Sequence, residues 1–370
     1  MEHFRQKGVV TILAEKIRTR ILERGPISFR DFMEIALYDP EQGYYTGGPP
    51  IGPQGDYYTS ANIHPLFGEL LAKKFASLWK AIGDPTGQTI VEVGAGTGQL
   101  SDDLLRRWQS HHPDVFQELT YVISELSLWF RIRQQERLRE FSNVQWKPMT
   151  EIERESMSGI IFSNELIDAL PVHRLIEQNG RLKELFVDWL GDRFGWVTGE
   201  LSTEELSRLV SSMEATLEDG HIIEVNLSAA EYLRSAAAVL RQGYVVTIDY
   251  GEERLRLYST ARREGTLRCF YKHALTDDPF ERIGEQDITA SVDFTLLMEE
   301  GERIGLETVE FKSQRAFLMD QGLMERLTDA ACDAPDGLAQ LASRLAAKHF
   351  LMPGAWGDHF KLLIQRKSYD

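Results

Sequence analysis

Apolar residues at Val9, Val10, Leu13, Ile17, Ile21 and Leu22 recur at steps of three and four, the period of an amphipathic helix, and Gly25 with Pro26 ends it. Ser28, with Asp31 three places on, resembles a capping box and opens a second helix whose buried side is Phe29, Phe32, Met33, Ala36 and Leu37. The period is lost over 39–62, where five glycines, four prolines and four tyrosines crowd together. That segment is too irregular for an element and too aromatic for a plain linker, which leaves an ordered surface loop or a lid over a site. From about 89 to 250, short apolar runs alternate with helical stretches, the βαβ signature of a doubly wound parallel sheet.

Strands are predicted near Thr89–Val93, Leu119–Ser124, Val144–Trp146, Gly159–Ser163 and Tyr244–Ile248. Between the last two, His173–Gln178, Arg181–Val187 and Phe194–Val197 are separated by an Asn179-Gly180 turn and a Gly191-Asp192 break. They read as an antiparallel meander inserted on the main sheet, followed by a helical stretch over Thr203–Leu217. The expected fold is therefore α/β: an N-terminal helical and loop extension over 1–85, a sheet core of 86–171 and 229–370, and an inserted antiparallel β and helical region over 172–228 that serves substrate or partner contact.

Composition narrows the classes. Among 370 residues, 42% are apolar and 26% charged, the balance of an ordinary globular chain rather than a disordered, collagen-like or coiled-coil one. Lys and Arg number 41 against 57 Asp and Glu, a net charge of −16, which argues against electrostatic binding of nucleic acid and favours a partner presenting a basic segment, or a small ligand. The two cysteines, Cys269 and Cys332, form neither a disulfide framework nor a zinc motif. The adjacent His111 and His112, and His349 and His359 astride a Pro-Gly loop, read as surface or packing residues, so no metal is expected. No run of 18 apolar residues exists to insert in a membrane, and the charged start (Glu2, Glu15, Glu23) lacks secretory or transit-peptide features. A bacterial, cytoplasmic setting is expected.

The segment Thr89 to Leu105 joins an apolar strand, three alternate glycines and an amphipathic helix. Gly94, Gly96 and Gly98 let the backbone turn sharply and let a ligand approach helix N–H groups. A dinucleotide fingerprint needs a third glycine where Gln99 stands. The G-x-G-x-G spacing after an acidic Glu92 is similar to that of class I S-adenosylmethionine-dependent methyltransferases, with Glu92 able to pair with the cofactor's ammonium. Glu125, at the carboxyl edge of the second strand, suits a ribose diol; a solvated surface acid is the bland reading of the same residue. Ser163-Asn164-Glu165-Leu166-Ile167-Asp168 follows the fourth strand, and if the chain turns helical after Asn164, Glu165 and Asp168 share one face and converge on a cation. Capping acids at a helix start are the plainer alternative. P-loop, nucleophile-elbow, H-E-x-x-H and C-x-x-C patterns are missing.

The blocks GYY…GDYYTSANIHPLFGE, VEVGAGTGQL, SNELIDALPVHRL, VVTIDYG, GTLRCFYKH and DITASVDFTLL, in that order from about Ile27 to Ile364, resemble the MidA family (DUF185) of class I, Rossmann-like methyltransferases. Mitochondrial members of that family assist assembly of respiratory complex I. The resemblance implies protein arginine methylation, to symmetric dimethylarginine, with S-adenosylmethionine converted to S-adenosylhomocysteine. It puts the cofactor on Gly55, Asp56 and Thr59, on Gly94, Gly96 and Gly98, and on Glu125; Asn164, Glu165 and Asp168 would face the acceptor. The chain departs from the family where G-P-G-R-G-T is common, having Gly94-Ala95-Gly96-Thr97-Gly98-Gln99, and has E-L-S for the usual E-S-P, which touches the identity of the acceptor and leaves the glycines and acid in place. Two other classes stay open, a cofactor-binding assembly chaperone without catalysis and a methyltransferase of small molecules, with a dehydrogenase a remote further one.

Overall fold

The first apolar period forms a helix, Ile12–Arg24, capped by the Thr11 hydroxyl accepting from Ala14 N–H and closed by Gly25. A second, Phe29–Tyr38, starts where the Ser28 hydroxyl accepts from Asp31 N–H at 3.1 Å. The computed structural model describes residues 11–47, 65–83, 87, 89–213, 215–272, 274–327 and 356–368, the side chains of Val115 and Trp356 excepted. Two compact units make up the chain: one of Met1–Tyr57, Ala169–Ser228 and Leu255–Ser291, the other of Tyr58–Asp168, Ala229–Arg254 and Val292–Asp370.

In the first unit, the predicted meander does not extend the main sheet. His173–Gln178, Arg181–Trp189 and Phe194–Gly199 pair antiparallel, and Ile222–Val225 and Ile27–Ser28 complete a separate five-stranded sheet. A three-stranded sheet of Arg268–Tyr271, Ala274–Thr276 and Asp287–Thr289 belongs to the same unit. The two N-terminal helices bury Ile17, Phe29, Phe32 and Met33 against Val187, Cys269 and Ile288. The helix predicted to reach Leu217 spans Glu204–Ser212, where the Ser211 and Ser212 hydroxyls bond back to the carbonyls of Ser207 and Leu209 and compete with continuation of the helix.

The second unit carries an eight-stranded sheet in the order Glu307–Ser313, Phe360–Lys367, Leu240–Glu252, Met157–Asn164, Thr89–Val93, Thr120–Ser124, Val144–Trp146, with Val292–Asp293 beside the 240–252 strand. The strands 240–252, 157–164, 89–93, 120–124 and 144–146 run parallel, and 360–367 is antiparallel to both of its neighbours. Helix Leu66–Ile82 buries Phe67, Leu71, Phe75 and Trp79 in a core shared with Leu104, Trp108, Ile123, Phe162 and Val246. Strands 157–164 and 240–252 outrun their predicted spans because their first residues pair with each other, Leu240 opposite Met157, and because 240–252 continues past Ile248 against Lys361, Phe360 and Val292. Among the described residues, no helix is long and apolar enough to cross a membrane.

Candidate functional site

Strand order reverses at 89–93, which lies between 120–124, the next strand in the chain, and 157–164, a later one. Open α/β sheets bind ligands outside the carboxyl ends of the strands at such a reversal. Register brings the expected residues to one level: Val93 lies opposite Ser124 on one side and Ser163 on the other. The next residue of each strand is therefore Gly94, Glu125 and Asn164, three chain exits side by side.

The glycine loop is held from below. Gly94, Gly96 and Gly98 have φ of 71°, 54° and 75°, a region that side chains rarely adopt. A Cβ on Gly94 would stand 2.8 Å from Leu166 Cδ1, and one on Gly98 would stand 3.3 Å from Gln134 Cγ, whereas one on Gly96 would meet nothing within 4 Å. Gly94 and Gly98 thus make room for protein, and Gly96 faces open space where a ligand's own atoms can approach the backbone. Gly98 N-caps helix Gln99–His111 without a side-chain cap, leaving first-turn N–H groups for another acceptor.

Two acids flank the loop differently. Glu92 is 2% exposed, and its Oε2 accepts from the Ser101 hydroxyl and the Tyr121 hydroxyl. Burial pushes its pKa up to about 7 against the pull of those two donors. Glu125 is half-buried; Oε1 accepts from Ser127 N–H at 2.9 Å and Oε2 from Gln134 Nε2 at 3.0 Å. Its pKa is raised by burial, with these donors opposing.

The turn after Asn164 is not helical, contrary to the expectation that placed Glu165 and Asp168 one helical turn apart. Glu165 has φ 54° and donates its N–H to Ile248 O, and the buried Asp249 carboxylate accepts from Leu166 N–H at 3.1 Å and Ile167 N–H at 2.8 Å. Those N–H groups are thereby committed to a side chain of another strand, and the segment bends instead of winding. Asp249 itself, fully buried, is pushed above the usual carboxylate range by desolvation. Asn164 Nδ2 donates to Glu165 Oε1 at 3.1 Å, while Asn164 Oδ1 is buried with no hydrogen-bond partner among the described residues. An acceptor oxygen shut away without a donor is costly, and its complement is a ligand N–H.

Gly55, Asp56 and Thr59, the remaining expected cofactor residues, and most of the expected lid lie outside the described residues. Among those described, no group of three or more His, Cys, Asp or Glu side chains could hold a metal ion. Sequence reasoning missed Gln134, Tyr121 and Ser101, and gave Asp249 no role although it stands in the V-V-T-I-D-Y-G block. That block was the available signal for Asp249. Gln134 had none, being one of two adjacent glutamines on a polar-looking helix, Leu128–Arg137.

Residues 70–312 match a protein family described as "Putative S-adenosyl-L-methionine-dependent methyltransferase". The rat protein named Protein arginine methyltransferase NDUFAF7, mitochondrial (Rattus norvegicus) is 28% identical over 389 residues, 95% of this chain and 83% of the relative. Its human counterpart (Homo sapiens) is 28% identical over 359 residues, 86% of this chain and 75% of the relative. A crystal structure of a COG1565 superfamily member from Burkholderia thailandensis, bound to S-adenosyl-homocysteine, superposes with a TM-score of 0.87 at 30% identity, covering 97% of this chain and 92% of that one.

Proposed function

Because the chain belongs to this family of S-adenosyl-L-methionine-dependent methyltransferases, we propose that it methylates an arginine side chain of a partner protein. The observation that carries the acceptor reading is the buried, unpartnered Asn164 Oδ1 next to the Glu165 carboxylate, at the same level of the sheet as the glycine loop. Arginine is a cation with five N–H donors and a pKa above about 12, so a site for it must supply acceptors and negative charge. Asn164 Oδ1 accepts one guanidinium N–H, Glu165 accepts another and offsets the charge, and Asp168 follows as a second carboxylate in the same turn. Held this way, the guanidinium keeps one nitrogen directed at the reacting carbon, the geometric requirement of an in-line displacement, and the proton that this nitrogen loses as the N–C bond forms and the C–S bond breaks passes to the Glu165 carboxylate.

S-adenosylmethionine, when bound, supplies a methyl group on a positively charged sulfur. The described residues fit it: Gly96 opens onto free space, helix 99–111 leaves first-turn N–H groups, and Glu125 ends its strand at the same level as Gly94. Glu125 would accept from the ribose hydroxyls, and Gly94, Gly96 and Gly98 would let the backbone line the cofactor. In this reading Glu92, whose one oxygen already holds two hydroxyls, supports the loop from beneath and reaches the ammonium only through its second oxygen. The charge of −16 supports a partner presenting a basic segment. The relatives named protein arginine methyltransferases support the acceptor class.

The test is transfer of labelled methyl from S-adenosylmethionine to the proteome of a strain lacking the gene, with the modified residue located by mass spectrometry. Label on arginine of a protein is expected, and Glu165→Gln is expected to abolish it while cofactor affinity, read by calorimetry, stays within about threefold. Full transfer by that variant removes Glu165 from the mechanism. Label confined to small molecules, or no label from a cofactor-loaded protein, overturns the arginine reading.

A further inference from the structure

Gln134 lies on helix 128–137 with its side chain fully buried, and three elements meet on its amide. Nε2 donates to Gly96 O at 2.8 Å and to Glu125 Oε2 at 3.0 Å, and Oε1 accepts from Trp146 Nε1 at 3.0 Å. Only one orientation of the amide serves all three. The indole N–H is a donor only, and the Gly96 carbonyl and an ionised carboxylate are acceptors only, so a flipped amide would set two donors face to face at Trp146 and acceptors against acceptors at Gly96 and Glu125. We infer that Gln134 is a positioning residue for the cofactor, locking the glycine loop and Glu125 into one rigid receiving surface, and that Trp146 sets its orientation.

Three observations support the inference. Gly98 has no Cβ to collide with Gln134 Cγ, 3.3 Å from where that atom would sit, so one loop glycine answers to the glutamine. Ser127 N–H holds the other oxygen of Glu125, and with Gln134 on Oε2 both oxygens are fixed in place. Arg137, one turn later on the same helix, donates to Thr97 O at 3.0 Å and to Gln99 Oε1 at 2.6 Å, so this helix grips the loop at successive carbonyls. A ligand then meets a carboxylate and a backbone already in place, and little ordering remains to oppose binding.

The inference rests on the reading of Glu125 as a cofactor residue, and the experiment separates the two. Cofactor affinity is measured by calorimetry, and kcat at saturating cofactor by label transfer, for Gln134→Leu, Trp146→Phe, their double variant and Glu125→Gln. Gln134→Leu is expected to weaken S-adenosylmethionine roughly tenfold or more while kcat at saturation changes by less than about threefold. Trp146→Phe, which removes only the orienting donor, is expected to weaken it by a smaller factor, and the double variant to match Gln134→Leu alone, since the indole acts through the amide. Wild-type affinity in both single variants, or losses that multiply in the double variant, overturns the role. Should Gln134→Leu fail to unfold cooperatively, Trp146→Phe decides alone: wild-type affinity there refutes the inference. Unchanged affinity in Glu125→Gln refutes the underlying reading instead.

Discussion

Replacing Glu92 by Gln removes a titrating group from the middle of the sheet and leaves a side chain of the same shape. Glu92 is fully enclosed, and its pKa stands near 7 in the fold against 4.5 for the unperturbed group. Because the folded-state value is the higher one, the native chain holds the proton between those two values, and the stability that Glu92 contributes falls as pH rises through that window and is level above it. At about 1.4 kcal/mol for each tenfold in proton affinity, the fall amounts to roughly 3 kcal/mol. Urea unfolding of wild type and Glu92→Gln from pH 4.5 to 8 is expected to show the variant gaining on wild type by that order as pH rises. Titrating groups not coupled to Glu92 are common to both proteins and cancel in the difference, and Glu125, whose charge adds to the rise in the Glu92 pKa, is neutralised in both by carrying Glu125→Gln in each background. The absolute offset depends on how well the amide serves Ser101 and Tyr121, so the slope carries the test. A difference that stays flat within about 0.5 kcal/mol across the range would refute the claim that burial governs this acid. Saturating S-adenosylmethionine adds a second reading: if its ammonium pairs with Glu92, the added cation favours the charged form and flattens the slope.

Asp249→Ala should orphan the Leu166 and Ile167 N–H groups, costing on the order of 3 kcal/mol in urea unfolding, and should lower kcat at least tenfold while cofactor affinity is kept. Asp249→Asn retains one acceptor oxygen and should recover part of both; equal kcat in all three proteins would remove Asp249 from the support of the acceptor turn. Gly159→Ala should destabilise by about 3 kcal/mol or more, since its Cβ would stand 1.9 Å from Thr89 O in the neighbouring strand. Gly180→Ala, at a turn with φ 82° and nothing within 4 Å, should cost only about 1 kcal/mol by thermal or urea unfolding, and equal losses at the two sites would contradict the packing argument.

The elements were legible wherever their signal is local. Thr89–Val93 and Val144–Trp146 occupy the residues predicted for them, and the glycine loop with its acids was found in strand-loop-helix order, because apolar runs and glycines act through adjacent backbone. What the chain's own order left undetermined was set by partners distant along it. Gln134 reaches Gly96 across 38 residues, and Asp249 reaches Ile167 across 82. The second contact makes a bend of the segment that would have brought Glu165 and Asp168 onto one face had it wound after Asn164: a carboxylate from another strand took the N–H groups that winding would have used. The meander, likewise, was visible as three strands, but only pairing with Ile27–Ser28 and Ile222–Val225 made it a sheet of its own. Local sequence determined which residues could turn, cap or alternate. Register and burial, which exist only once distant strands pair, decided which acids stay on the sheet's edge and which are sealed beneath it.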